Sequence, residues 1–196
     1  MARRRSLPDL LKDTAGSTTI EFVIIFVVFM GIVFFVVEVT LYMFFMASLE
    51  KASEAGVRAA VVSSPVAPGV PLVIAKEDPG DPTQIFGYKC SHVSAPCAPF
   101  PTTSCTGATG CTAGDFDRIL QHMRRFNGQI QAEDVTVTYS DAGIGFAGGP
   151  VAPMVTVTVS GVPFQAGILE LVLQGPSGIA TLPARSAGMT GEDLAP

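Results

Sequence analysis

The sequence predicts an α+β fold, a long N-terminal transmembrane helix followed by a small antiparallel-sheet domain. Three observations carry that expectation. Residues 22–47 form an apolar run whose only strongly polar members are Glu38 and Thr40. Residues 49–62, LEKASEAGVRAAVV, continue it in good helix formers. Much further on, residues 135–139 and 155–159 alternate strictly between valine and threonine, ending on Tyr139 and Val159.

The apolar run explains the composition. Hydrophobic residues make up 48% of the chain and charged ones only 15%, against about 25% charged in an average globular chain, so apolar residues must be concentrated somewhere. As a helix the run would be roughly 39 Å long, enough to cross the roughly 30 Å of a bilayer's hydrocarbon. It is too long for the apolar core of a cleaved secretory signal, about 7–15 residues, and reads as a retained anchor. Arg3, Arg4, Arg5 and Lys12 precede it against Asp9 and Asp13, whereas from Ser48 onward eight basic residues face thirteen acidic ones. Basic flanks hold their end of a span in the cytoplasm, so the acidic remainder is expected outside. A sequence pI near 4.9 leaves no basic face for phosphates, and no nucleic-acid partner is expected.

Residues 1–16 therefore read as a cytoplasmic leader and residues 17–62 as one helix about 70 Å long, half of it beyond the bilayer. Ala52, Ser53, Gly56, Ala59 and Ala60 recur at helical spacing in the outer half and would admit a closely packed neighbour. Pro65 and Pro68 end the helix. Residues 63–113, rich in Pro, Gly, Ser and Thr, read as an irregular loop stapled by cysteines. Cys90, Cys97, Cys105 and Cys111 fall in one short window on the expected outer side, where oxidation to disulfides is favoured. Three pairings are open. A metal cluster with His92 is the competing reading, but no C-x-x-C pair is present. Asp78 and Asp81 lack the spacing of a calcium loop and read as a solvated turn.

Residues 114–196 read as an α+β domain. Asp115 is a plausible N-cap for a helix with Phe116, Ile119, Leu120, Met123 and Phe126 on one stripe, closed by Asn127-Gly128. His122 beside this stripe reads as structural. The two valine–threonine segments read as neighbouring antiparallel strands joined by a glycine-rich connection that is no phosphate loop, since no helix start follows. Residues 164–173 read as a short helix and residues 179–189 as a last strand.

The motif that bears on function is Gly16-Ser17-Thr18-Thr19-Ile20-Glu21-Phe22. A carboxylate heading an apolar helix at a membrane edge calls for a partner, because an unpaired charge in hydrocarbon is costly. Thr18 and Glu21 have the spacing of a capping box. Alternatively, cleavage after Gly16 would create an amine at Ser17, which Glu21 of a neighbouring subunit could neutralise.

Gly16, Glu21 and Phe22 resemble the prepilin-peptidase site of type IV pilins of the Flp and tight-adherence type. With the basic leader, Glu38, the stretch SLEKASEAGVRAA and the terminal ATLPARSAGMTGE, they resemble the TadE-like family of pilus-assembly pseudopilins. Val27 stands where such sequences often carry proline. The resemblance implies a pilin-like fold and a minor pilin or pseudopilin in the bacterial inner membrane, its C-terminal domain periplasmic. It also implies other pilins, inner-membrane secretion machinery and a prepilin peptidase as partners. Gly16 and Ser17 would form the processing site, with Glu21 and Phe22 acting in assembly. No enzymatic role, cofactor or metal is expected. The rival reading is a signal-anchored periplasmic binding module in which the 65–113 loop takes a ligand; an enzyme is disfavoured because no nucleophile, paired carboxylates or metal cluster stands at useful spacing.

The charge flanks make a direct prediction. A reporter enzyme active only outside the cytoplasm, fused after Pro196, should be active, and a cytoplasm-specific reporter at the same point should be silent. The reverse pattern would invert the topology.

Overall fold

The computed structural model describes residues 17–76, 78, 80, 87–90, 97–164 and 180–191. It shows an α+β fold in which one long helix serves two environments. Helix α1, Ser17–Val61, runs 45 residues without a break. It ends where the Ser63 hydroxyl donates to the Ala60 carbonyl and Pro65 and Pro68 forbid another turn.

The two halves of α1 behave differently. Among the described residues, none of its most apolar stretch is buried. From Val39 onward it begins to touch the domain, with Val39, Tyr42 and Phe45 packed against the core. Phe164 sets its ring edge-on to Tyr42 and Phe45, with centroids 5.6 and 5.3 Å apart. About 17 residues, 22–38, thus lie ahead of the first of these core contacts, roughly 26 Å of helix, close to the roughly 30 Å hydrocarbon thickness of a bilayer. The Thr40 hydroxyl is satisfied inside the helix by the Val36 carbonyl at 2.8 Å.

Beyond Met46 the helix buries one stripe, Leu49, Ala52, Ser53, Gly56, Val57, Ala60 and Val61. The three- and four-residue spacing is that of one helical face. It packs on helix α3 (Ala113–Arg124) and on two strands, β3 (Met154–Val159) and β6 (Arg185–Thr190). α3 answers with Phe116, Ile119, Leu120 and Met123, all buried. A Cβ on Gly56 would stand 2.8 Å from Met123 Sδ and 3.2 Å from Val157 Cγ1, so the two helices and the sheet meet where a side chain is missing.

The sheet has four antiparallel strands in the order β1-β2-β3-β6, with β1 at Thr103–Thr106 and β2 at Val135–Ser140. β2 and β3 are neighbours in the register Val137↔Val157. Val135, Val137, Tyr139, Val155, Val157 and Val159 face the helices and are buried, while the threonines between them face away. On that outer face the Thr106 and Thr136 hydroxyls bond across strands at 2.9 Å. Two further short strands, β4 (Pro163–Phe164) and β5 (Ala180–Thr181), pair separately.

Three details differ from the sequence reading. The stretch read as an irregular loop ends in β1, an edge strand whose Cys105 pairs with Val137, followed by a one-turn helix, α2, at Gly107–Gly110. α3 starts three residues early, with Thr112 rather than Asp115 at the N-cap position, and Asp115 sits in its first turn, 3.6 Å from the Arg118 guanidinium. The last strand is divided into β5 and β6. The helix expected over 164–173 falls, after Phe164, outside the described residues.

One buried polar contact ties the loop to the sheet. The Val66 N–H donates to the Tyr139 hydroxyl at 3.1 Å, and the Val66 carbonyl accepts from the Thr112 N–H at 2.8 Å. Burial, helped by the nearby Asp115 charge, raises the Tyr139 titration above its ordinary 10.0, and the Val66 N–H works against that.

Two predictions follow from this packing. Gly56→Val should destabilise the chain by about 1–3 kcal/mol through overpacking, and Met123→Ala in the same chain should recover part of the loss; denaturant melts of both measure this. Tyr139→Phe should cost about 1–3 kcal/mol, because the Val66 N–H loses its partner in a dry site. The folded chain holds the phenol proton more tightly than the unfolded one, so this contribution is complete below pH 10 and declines as pH rises beyond it. In Tyr139→Phe that alkaline decline should flatten, and an unchanged profile would remove Tyr139 as its source.

Candidate functional site

A helix that is apolar on every side cannot satisfy itself in water and must lie in lipid or among other helices. That makes the first half of α1 the leading functional element. Ser17 is its first described residue, and Gly16 lies outside the described residues. Glu21 and Phe22 lie on its exposed surface, with the Phe22 ring stacked on Phe26 at 6.0 Å. Thr18 is itself helical, whereas an N-cap residue adopts extended backbone angles, which removes the geometric basis for a capping box on Thr18 and Glu21. Glu38 falls one turn before Tyr42, where helix and domain join, about 26 Å along the axis from Glu21. The two carboxylates therefore bracket the apolar length.

The domain is fastened to α1 by a polar clamp that no sequence pattern announces. Asn127, buried just beyond α3, donates through Nδ2 to the Ser48 hydroxyl at 3.1 Å, and its Oδ1 accepts from the Gln129 N–H at 2.9 Å. Ser48 in turn donates to the Phe45 carbonyl at 2.7 Å. Arg124 donates through Nε to the Ile130 carbonyl at 2.8 Å, holding the turn after α3 in place.

The four cysteines form two disulfides, Cys90–Cys97 and Cys105–Cys111, each with Cα atoms 5.2 Å apart. Both close short local loops, an effect worth about 2 kcal/mol each in the chain-entropy picture. The first belongs to a surface layer in which Val73 bridges Pro150, Lys76 bridges Cys97 and Lys89 bridges Phe146. The glycine-rich connection between β2 and β3 is thereby pinned against the preceding loop. Between them lies a cavity of about 280 Å³, lined by Val73, Ile74, Cys90, Cys97, Phe100 and Ile144 among others, with Asp141 at its edge.

A second cleft, about 480 Å³, runs between α1 and α3 on the side away from the sheet. His122, read as structural, lines it together with Arg118, Arg58 and Lys51. Among the described residues there is no group of three His, Cys, Asp or Glu side chains able to hold a metal. His92 and Asp81 lie outside the described residues, and the Asp78 carboxylate accepts from the Gly80 N–H at 2.9 Å, a turn contact.

Residues 16–58 match the family model described as TadE-like protein. The matched segment contains Gly16, Glu21, Phe22 and Glu38 and stops three residues short of the end of α1. Neither a curated protein nor a solved structure matches the chain. The TadE-like resemblance read from the sequence therefore stands over the anchor helix, and that family is structural and pilus-associated.

Proposed function

We propose, with the TadE-like residues 16–58 as premise, that the chain is a minor pilin- or pseudopilin-like structural component of a tight-adherence (Flp-type) pilus assembly and secretion system. It sits in the bacterial inner membrane with its C-terminal domain in the periplasm. Its partners are other pilins or pseudopilins, the inner-membrane secretion machinery and a prepilin peptidase. The observation that carries this reading is the division of α1. Its matched apolar half, headed by Glu21, is not buried among the described residues, and its outer half is packed into the domain.

The chemistry at the head of the helix follows from charge. Cleavage between Gly16 and Ser17 would leave an amine at Ser17, one helical turn before Glu21. In a bundle of parallel anchors, the carboxylate of one subunit can neutralise the amine of the next, offsetting the cost of holding either in a poorly hydrated place. Phe22, exposed beside it, adds apolar surface for the same neighbour.

A second reading, a signal-anchored binding module, has one observation in its favour: the 280 Å³ cavity beside the Cys90–Cys97 disulfide, at the loop region that reading assigns to a ligand.

Gly16→Leu should leave the leader attached, since a peptidase site shaped for glycine has no room for the added side chain. Glu21→Ala and Glu21→Gln should both be cut and yet fail to support surface adhesion. N-terminal sequencing of membrane-extracted protein, paired with an adhesion assay, reads both steps. A mature chain still beginning at Met1 in a cell with active peptidase defeats the pseudopilin reading, and a fully adherent Glu21→Gln strain removes Glu21 from assembly.

A further inference from the structure

The cleft between α1 and α3 differs in charge from the domain that holds it. Lys51, Arg58 and Arg118 line it with His122, against one carboxylate, Glu54. Of the eight basic residues from Ser48 onward, five (Lys51, Arg58, Arg118, Arg124 and Arg125) lie on these two helices or in the turn closing α3. The rest of the domain is acidic. Lys51 bonds Glu54 at 2.9 Å and Arg118 faces Asp115 at 3.6 Å, while Arg58, among the described residues, makes no ion pair. The cleft is thus a cationic strip on an anionic body.

Its floor is apolar. Ala55, Ala59 and Val62 follow one another along α1, and Phe126 closes the α3 side; Val62 is 63% exposed and Phe126 52%. Lys51 and Arg58 stand two turns apart on the same face, about 10.5 Å along the axis. Small side chains between two cations at that spacing suit a third helix, whose carboxylates repeat every two turns and whose leucines face inward. A phosphate or a sugar would use the cations and leave the apolar floor wet.

We propose that this cleft docks an acidic amphipathic helix of a partner protein. The proposal deepens the structural-subunit reading above and rests on it for the partner's presence. It assigns Arg58, with Lys51 two turns before it and Arg118 across the cleft, as the charge contacts and Ala55 and Ala59 as the close-approach surface.

The test uses the full chain in nanodiscs and a fluorescent helical peptide of about 18 residues, with Leu on one stripe and Glu flanking it at two-turn spacing. A control peptide of the same pattern carries Lys for Glu. The acidic peptide should bind and the basic one should not. Arg58→Glu with Arg118→Glu should weaken the acidic peptide by about tenfold or more and admit the basic one. Ala59→Trp, which fills the floor and leaves the charges, should also weaken binding. Arg58 and Arg118 are on the surface and Ala59 is half-buried against the core, and an unchanged thermal melt of each variant verifies folding. Equal binding of the two peptides, or indifference to both sets of substitutions, overturns the proposal. Much tighter binding on removing residues 192–196 assigns the cleft to the chain's own acidic end and also overturns it. Binding is read without reference to processing or adhesion, so failure here leaves the subunit reading to its own experiment.

Discussion

The close crossing of α1 over α3 and β3 at Gly56 is the constraint on which the rest of the structure depends. A helix that must be apolar all round in its first half can still carry a soluble domain only if its second half presents one narrow stripe to that domain. Gly56, flanked by Ala52, Ser53 and Ala60, lets Met123 and Val157 reach the α1 backbone. Helix–helix and helix–sheet contact then coincide at one point, and a single core extends from Met46 to the valines of β2 and β3.

Much of this was legible in the residues. The length of the apolar run, the small-residue stripe and the valine–threonine alternation each rest on a local periodicity, and local periodicity survives into the fold. β1 was not legible, since TSCT has no apolar alternation and becomes a strand only because β2 offers it an open edge and Cys105 an inward position. β6, RSAGMT, was legible as part of the last strand read over 179–189, and it pairs with β3 along six residues. What short-range chemistry did not specify was β1 and the break between β5 and β6.

The candidate site was legible to a different degree. Gly16, Glu21 and Phe22 could be singled out because a charge beside an apolar run is anomalous wherever the chain folds. The disulfides join cysteines adjacent in the sequence order, yet composition left three pairings open; the Asn127–Ser48 clamp and the α1/α3 cleft depend on residues far apart in sequence. Asn127 and Ser48 are 79 residues apart, and a polar pair of that kind leaves no trace in composition. His122 illustrates the same point: Arg118 lies one turn before it on α3, but it shares a cleft with Arg58 only once two helices have met.

The Tyr42–Phe164–Phe45 contact has a mechanical consequence. It removes any linker between anchor and domain, so α1 acts as a rigid mast stepped directly into the body it carries. A tilt of about 10° in the bilayer, ordinary for a single span, swings a point some 30 Å up the mast by roughly 5 Å, about one helical turn. Neighbours that set the tilt of the mast therefore set the height and heading of the domain, and a shift in lipid thickness is felt as a displacement at the far end.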